Sequence, residues 1–119
     1  MGHASVAAVD AFGQTLTLQI DASAAAVTDF GLGFIGYEPR VLAVLAAAEH
    51  DESTIVQACA AALWMFSESP AGRPKARAHL GRAARSVLPC TERERRFAAA
   101  ISHWVNGDVR GALAEHEAL

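Results

Sequence analysis

The chain predicts an all-α fold in which three antiparallel helical hairpins stack behind an extended N-terminal segment. Three observations lead there. Apolar residues make up 52% of the 119 positions while aromatics reach only 7%, so the apolar content is mostly Ala, Leu and Val. Such content suits closely packed helices. Helix-starting signals recur near Ser23, Ser53 and Thr91, at the spacing of about 30 to 40 residues that helical repeats show. Finally, Phe97 to Leu119 reads as two short helices hinged at Gly107-Asp108. Phe97, Ile101, Trp104 and Val105 fall at i, i+4, i+7 and i+8 and share one face. Gly107 can take the left-handed conformation that ends a helix, and Asp108 can cap the next. A hairpin of this kind does not bury its apolar face alone, which implies stacked neighbours.

Taken in order, residues 1–21 are the least helical. Gly13 interrupts them, and Thr15-Leu-Thr-Leu-Gln-Ile20 alternates polar and apolar with the period of an extended strand. A lone strand has nothing to pair with, so this segment is expected to dock along the helices, with edge pairing to a second copy as the alternative. A first helix is expected over Ala24 to Tyr37, capped by Asp21 or Ser23, with Ala24, Val27, Gly31, Phe34 and Ile35 on one face. Pro39 suits the first turn of a second helix, Arg40 to Glu49, with Val41, Leu42, Leu45 and Ala48 as its apolar side. The third, from about Ser53 to Ser67, is apolar nearly all round and belongs in the middle of the stack. Two prolines and a glycine mark Glu68 to Pro74 as a break. Ala76, Leu80, Ala83, Ala84 and Val87 then define a fourth helix that Pro89 stops. Thr91-Glu-Arg-Glu94 forms a capping box that opens the fifth, and the sixth runs from Asp108 to the end.

A chain of this length is expected to hold one core. The division is an extended segment over 1–21 and a helical-repeat domain over 22–119. The first 39 residues contain no Lys or Arg, so the charged start of a secretory signal is missing and a cytoplasmic location is expected. The 15 uncharged residues from Ser53 to Ser67 fall short of the roughly 20 that cross a bilayer. Two cysteines, Cys59 and Cys90, are too few for a disulfide framework. The net charge of −3 is unevenly spread: Arg73 to Arg96 holds eight bases against two acids, and the remainder two bases against eleven acids. That asymmetry serves either an acidic protein partner or pairing within the fold or with a second copy.

No catalytic constellation is legible, and no cofactor is implied. Gly31-Leu-Gly33-Phe-Ile-Gly36 fits the spacing of a dinucleotide-binding loop, but a helical stretch precedes it where a strand is required. Close helix packing explains these glycines better. Cys90, near Arg93 and a helix start, has the setting of a lowered thiol pKa, but no histidine is close in sequence to act as base. Cys59 reads as core. His3, His50, His79, His103 and His116 lack metal-ligand spacing. The strongest polar candidate is a basic stripe, Lys75, His79, Arg82 and Arg85 on the fourth helix with Arg93 and Arg96 on the fifth. Few aromatics and an overall acidic balance argue against nucleic acid as its target. The second candidate surface is the terminal hairpin, through Trp104, Val109, Leu113 and Leu119.

The sequence Gly107-Asp108 followed by Ala112-Leu113 and Glu117, with Ala100 earlier, resembles the centre of a tetratricopeptide repeat, although His103 and His116 stand where that family usually has aromatic residues. More specifically, Asp21-Ala-Ser-Ala-Ala-Ala, Tyr37-Glu-Pro-Arg, Ala47-Ala-Ala-Glu-His-Asp51 and Thr91-Glu-Arg-Glu-Arg, in that order before the hairpin, resemble the start of the tetratricopeptide repeat protein 38 family. Members of that family are much longer. The resemblance implies a short right-handed tetratricopeptide-like array with a scaffold-like role. The resulting expectation is a non-enzymatic protein-binding module that forms homodimers. The competing one is a small α-helical enzyme or ligand-binding protein with a pocket between hairpins near Tyr37, Trp64, His103 and Trp104.

Overall fold

The computed structural model describes residues 5–10, 13–36 and 38–118, with the backbone alone for Phe34, Ile35 and His116. It is mostly helical, with a small two-stranded sheet. Strand β1 (Val6–Val9) pairs antiparallel with β2 (Thr15–Leu18), placing Val6 opposite Leu18 and Val9 opposite Thr15. The expected docking segment is therefore half of a β-hairpin. The turn is closed by Asp10, whose carboxylate accepts from the Gln14 amide at 2.9 Å, and by Gly13 at φ 78°. Alternation in β2 works as its pattern implies: Leu16 and Leu18 enter the core while Thr15 faces outward. Residues 1–4, including His3, lie outside the described residues.

Six α-helices follow: α1 (Ser23–Gly36), α2 (Ala43–Ala48), α3 (Thr54–Phe66), α4 (Gly72–Arg85), α5 (Glu92–Val105) and α6 (Val109–Ala118). The second differs from expectation, because Pro39–Leu42 forms a tight 3-10 turn before six residues of α-helix. Its cause is the fold-back from α1. The Glu38 amide donates to the Gly33 carbonyl at 2.8 Å, and a Cβ at Gly33 would stand 2.8 Å from the Val41 nitrogen. Only glycine permits that approach, and the turn over Val41 tightens to fit. The fourth helix also starts earlier than its break signals suggest, taking Gly72 to Pro74 into its first turn, where proline lacks no needed donor.

Helix α3 organises the interior. Its residues Ile55 to Ala62 are all buried, as expected of a helix in mid-stack. One side meets Leu16, Leu18, Val27, Val44 and Ala48; the other meets Ala76, Ile101 and Val105. Consecutive helices pack pairwise, α1 with the 3-10 turn and α2, α3 with α4, and α5 with α6. Between pairs, α3 packs on both α1 and α5, α2 touches α3, and α4 touches α5. The α5–α6 turn has the predicted chemistry: Gly107 sits at φ 80°, and Asp108 Oδ1 accepts from the Gly111 amide at 2.9 Å.

Candidate functional site

The capping box at α5 does more than start a helix. Thr91 Oγ1 accepts from the Glu94 amide at 3.1 Å and Glu94 Oε1 accepts from the Thr91 amide at 2.8 Å. Glu94, 0% exposed, uses its other oxygen to accept from the Thr17 amide at 2.8 Å. Asp51 plays a related role just beyond the strand, accepting from Ile20 at 2.9 Å and Gln19 at 3.3 Å after β2 and from Ser53 at 2.8 Å before α3. Burial opposes ionisation of Asp51, but the neighbouring Ser53 and Ser23 hydroxyls and the Ser53 and Ile20 amides hold its carboxyl below the usual carboxylate range. Glu94 thus satisfies an amide on the β2 edge that β1 leaves open, and Asp51 the amides of the turn that follows it.

The basic stripe is brought together along α4, but most of its members are engaged inside the chain. Arg82 holds Glu52 through Nε and Nη2, the shorter contact being 2.5 Å. Lys75 Nζ lies 5.4 Å from the centroid of Trp64, a cation–π distance. Arg96 pairs with Glu92 at 3.1 Å and Glu115 at 3.5 Å, and Arg93 donates to the Thr15 carbonyl at 3.2 Å. Arg73 donates to the Val105 carbonyl at the end of α5. Arg85 is exposed beside a polar cleft of about 390 Å³ that also involves Gln19, Glu52, Arg82 and Ser86. Two of these pairs, Arg82–Glu52 and Arg96–Glu115, join the basic segment to acids elsewhere in the chain.

His79 has the most defined setting of the stripe. Gln57, 0% exposed, donates from Nε2 to the Ala48 carbonyl at 2.9 Å and the Asp51 carbonyl at 2.7 Å. Those two acceptors fix its amide orientation, so Oε1 can only accept, and His79 Nδ1 at 2.8 Å must carry the proton. The lone pair of the neutral ring is on Nε2. Burial first, then the Arg82 and Lys75 charges, depress the His79 pKa and favour this neutral form. Sequence spacing placed His79 on the stripe but carried no signal for Gln57, which lies 22 positions away.

The largest apolar recess lies on the other side of α3. Phe30 from α1, Ala62 and Phe66 from α3, Phe97, Ala100, Ile101 and Trp104 from α5, and Ala112 from α6 enclose a groove of about 390 Å³. Its mouth is set by Phe66, 49% exposed, whose ring meets Trp104 edge-on at 4.8 Å. Beside it on α6, Val109 and Leu113 are 61% and 57% exposed and, with Ala112, form a ridge at i, i+3 and i+4. Trp104, Val109 and Leu113 of the terminal-hairpin candidate are thus neighbours, while Leu119 lies outside the described residues. Phe66 and Phe97 were legible as helix-face residues, Phe30 was not, and the groove was not legible at all because four separate elements create it.

Other candidates resolve differently. The Gly31 to Gly36 motif lies inside α1. Cys59 is buried in the first core, which pushes its thiol up to about 12 and keeps it protonated. Cys90 borders a cleft between α4 and α5 with Arg95 and Ser102. His103 Nδ1 meets Asp108 at 3.0 Å across the α5–α6 turn. Trp64 faces a smaller cleft with Arg73 and Trp104, and Tyr37 lies outside the described residues. Among the described residues no three His, Cys, Asp or Glu side chains gather as a metal site, and no helix is long and apolar enough to cross a membrane. Fold and groove together define a small, mostly helical protein with a core-packed β-hairpin and a largely apolar recess. No protein-family model, curated protein or solved structure matches the chain.

Proposed function

We propose that this chain is a non-enzymatic, tetratricopeptide-like helical-repeat module of the cytoplasm that binds protein, first of all a second copy of itself. The observation that carries the reading is the groove built from α1, α3 and α5, with the α6 ridge at its border. Support for a repeat array comes from the order of contacts. First helices of successive pairs pack on one another, and each second helix touches the next first helix, which a right-handed stack requires. The resemblance to the tetratricopeptide repeat protein 38 family points the same way.

A groove without charged lining rejects charged segments and accepts an apolar ridge. Val109 and Leu113 supply such a ridge next to the groove, so two copies related by a twofold axis can each insert into the other. Val109 and Leu113 are 61% and 57% exposed, so burying what remains of them in both copies contributes about 3.5–7 kcal/mol gross, set against an association cost of about 4–15 kcal/mol. The dimer is accordingly weak and concentration-dependent. Sedimentation equilibrium across a concentration series tests it: Leu113→Glu and Phe66→Glu are each expected to leave only monomer. A strictly monomeric wild type would remove self-association, and a dimer that survives both substitutions would place the contact elsewhere.

A second reading, a small α-helical ligand-binding protein or enzyme, draws on the same groove, whose volume falls within the range of small-molecule pockets. It takes a neutral apolar ligand. A thermal-shift screen separates the two readings, since a specific stabilising metabolite supports the ligand and silence together with dimerisation supports the module.

A further inference from the structure

We propose that His79 Nε2 is a phosphoryl-acceptor site for donors of the phosphoramidate class, which carry phosphorus on nitrogen. Three features of the structure converge on this atom. Gln57 Oε1 holds the proton on Nδ1 and orients the ring, so the lone pair of Nε2 points away from the buried amide. The imidazole is partly exposed, and Nε2 has no hydrogen-bond partner among the described residues. Lys75 and Arg82 stand one turn before and after it on α4, and their charges act on the ring. Arg82 is itself held by Glu52 and Lys75 lies over Trp64, so the cationic field at the ring is reduced by Glu52 but not cancelled.

This combination selects among the three uses of an oriented imidazole. A divalent metal is disfavoured, because two cations flank a single nitrogen ligand. General base work needs a bound substrate proton, and among the described residues His79 lines none of the clefts above. A nucleophile towards an anionic electrophile uses the oriented lone pair, the fixed ring and the net cationic field of Lys75, over Trp64, and Arg82, on Glu52, one turn to either side.

In the transfer, the Nε2 lone pair forms a bond to phosphorus while the donor N–P bond breaks. Its electron pair leaves with the donor nitrogen, already protonated in the zwitterionic donor, as a neutral amine. The ring keeps its Nδ1 proton and becomes a phosphoimidazolium. Its positive charge strengthens the hydrogen bond to Gln57 Oε1, and the two negative charges of the phosphoryl group face Lys75 and Arg82. No proton has to be removed from the acceptor, which is why an amide oxygen rather than a carboxylate suffices behind the ring.

The test is incubation of the folded full chain with potassium phosphoramidate near neutral pH, with the acid-labile adduct mapped by mass spectrometry. His50 and His103, whose side chains are 76% and 41% exposed, serve as internal controls. His79 is expected to label at least about tenfold faster than either, which corresponds to about 1.4 kcal/mol of barrier. That preference is expected to vanish in urea, and Lys75→Gln to slow His79 labelling by about threefold. Labelling of His79 no faster than His50 or His103, or a preference unchanged in urea, would overturn the proposal. So would zinc binding at His79 that the cations do not suppress. The comparison of native and urea-treated wild type needs no variant and stands even where a substituted chain fails to fold.

Discussion

Glu94 concentrates three jobs in one side chain: it completes the cap of α5, it satisfies the Thr17 amide of β2, and it does so fully buried. Removing it orphans two backbone donors. Glu94→Ala is expected to cost about 3 kcal/mol in urea unfolding, from a lost cap of about 1 kcal/mol and an unpaired buried donor of about 1–3 kcal/mol. Glu94→Gln retains one acceptor and should lose clearly less. His79 makes a pH prediction. Its folded pKa is depressed by burial, Arg82 and Lys75, so the unfolded chain binds protons first. Stability is therefore full above the unfolded value near 6.5 and falls as pH drops through it. Asp51, depressed in the opposite chemical sense, adds a second loss only as pH falls below about 4, the unfolded carboxylate value. Unfolding midpoints measured across pH should show both steps, and His79→Gln should remove the upper one alone.

At the scale of elements, the β-hairpin is part of the core rather than an appendage. Leu16 and Leu18 are buried like the middle of α3, Arg93 and Glu94 tie β2 to α5, and Asp51 holds the turn just after the strand. A two-stranded hairpin is marginal on its own, so β2 owes its structure to those contacts. Leu18→Ala is expected to lower global stability by about 2–5 kcal/mol, the cost of a buried leucine cavity. An effect below about 0.5 kcal/mol, typical of a surface site, would show that the hairpin is only laid on the surface. Sequence reasoning found the alternation in β2 and missed β1. Val6-Ala-Ala-Val9 alternates too weakly to be read, and pairing depends on the Asp10 turn. The capping box, the Gly107 turn and the buried stretch of α3 were legible because each is encoded within a few residues.

For the molecule as a whole, burial is graded outward from α3. That helix meets both clusters of the core, whereas α6 packs on α5 and leaves Val109 and Leu113 exposed. Amide hydrogen exchange should follow the gradient, with the slowest amides in Ile55 to Ala62 opening only on global unfolding and those of α6 opening locally. Equal protection in α6 and α3 in dilute solution would contradict that order. Local periodicity, caps and breakers determined the helical class, the number of helices and most of their limits, because those signals act over one or two turns. They also placed Lys75, His79 and Arg82 on one stripe. Tertiary structure alone decided that Arg82 meets Glu52 across 30 positions, that Gln57 selects the His79 tautomer, and that Phe30, Phe66 and Trp104 wall one groove. Such pairings turn on how helices cross and which buried polar group reaches which, and periodicity within a single element carries no information about either.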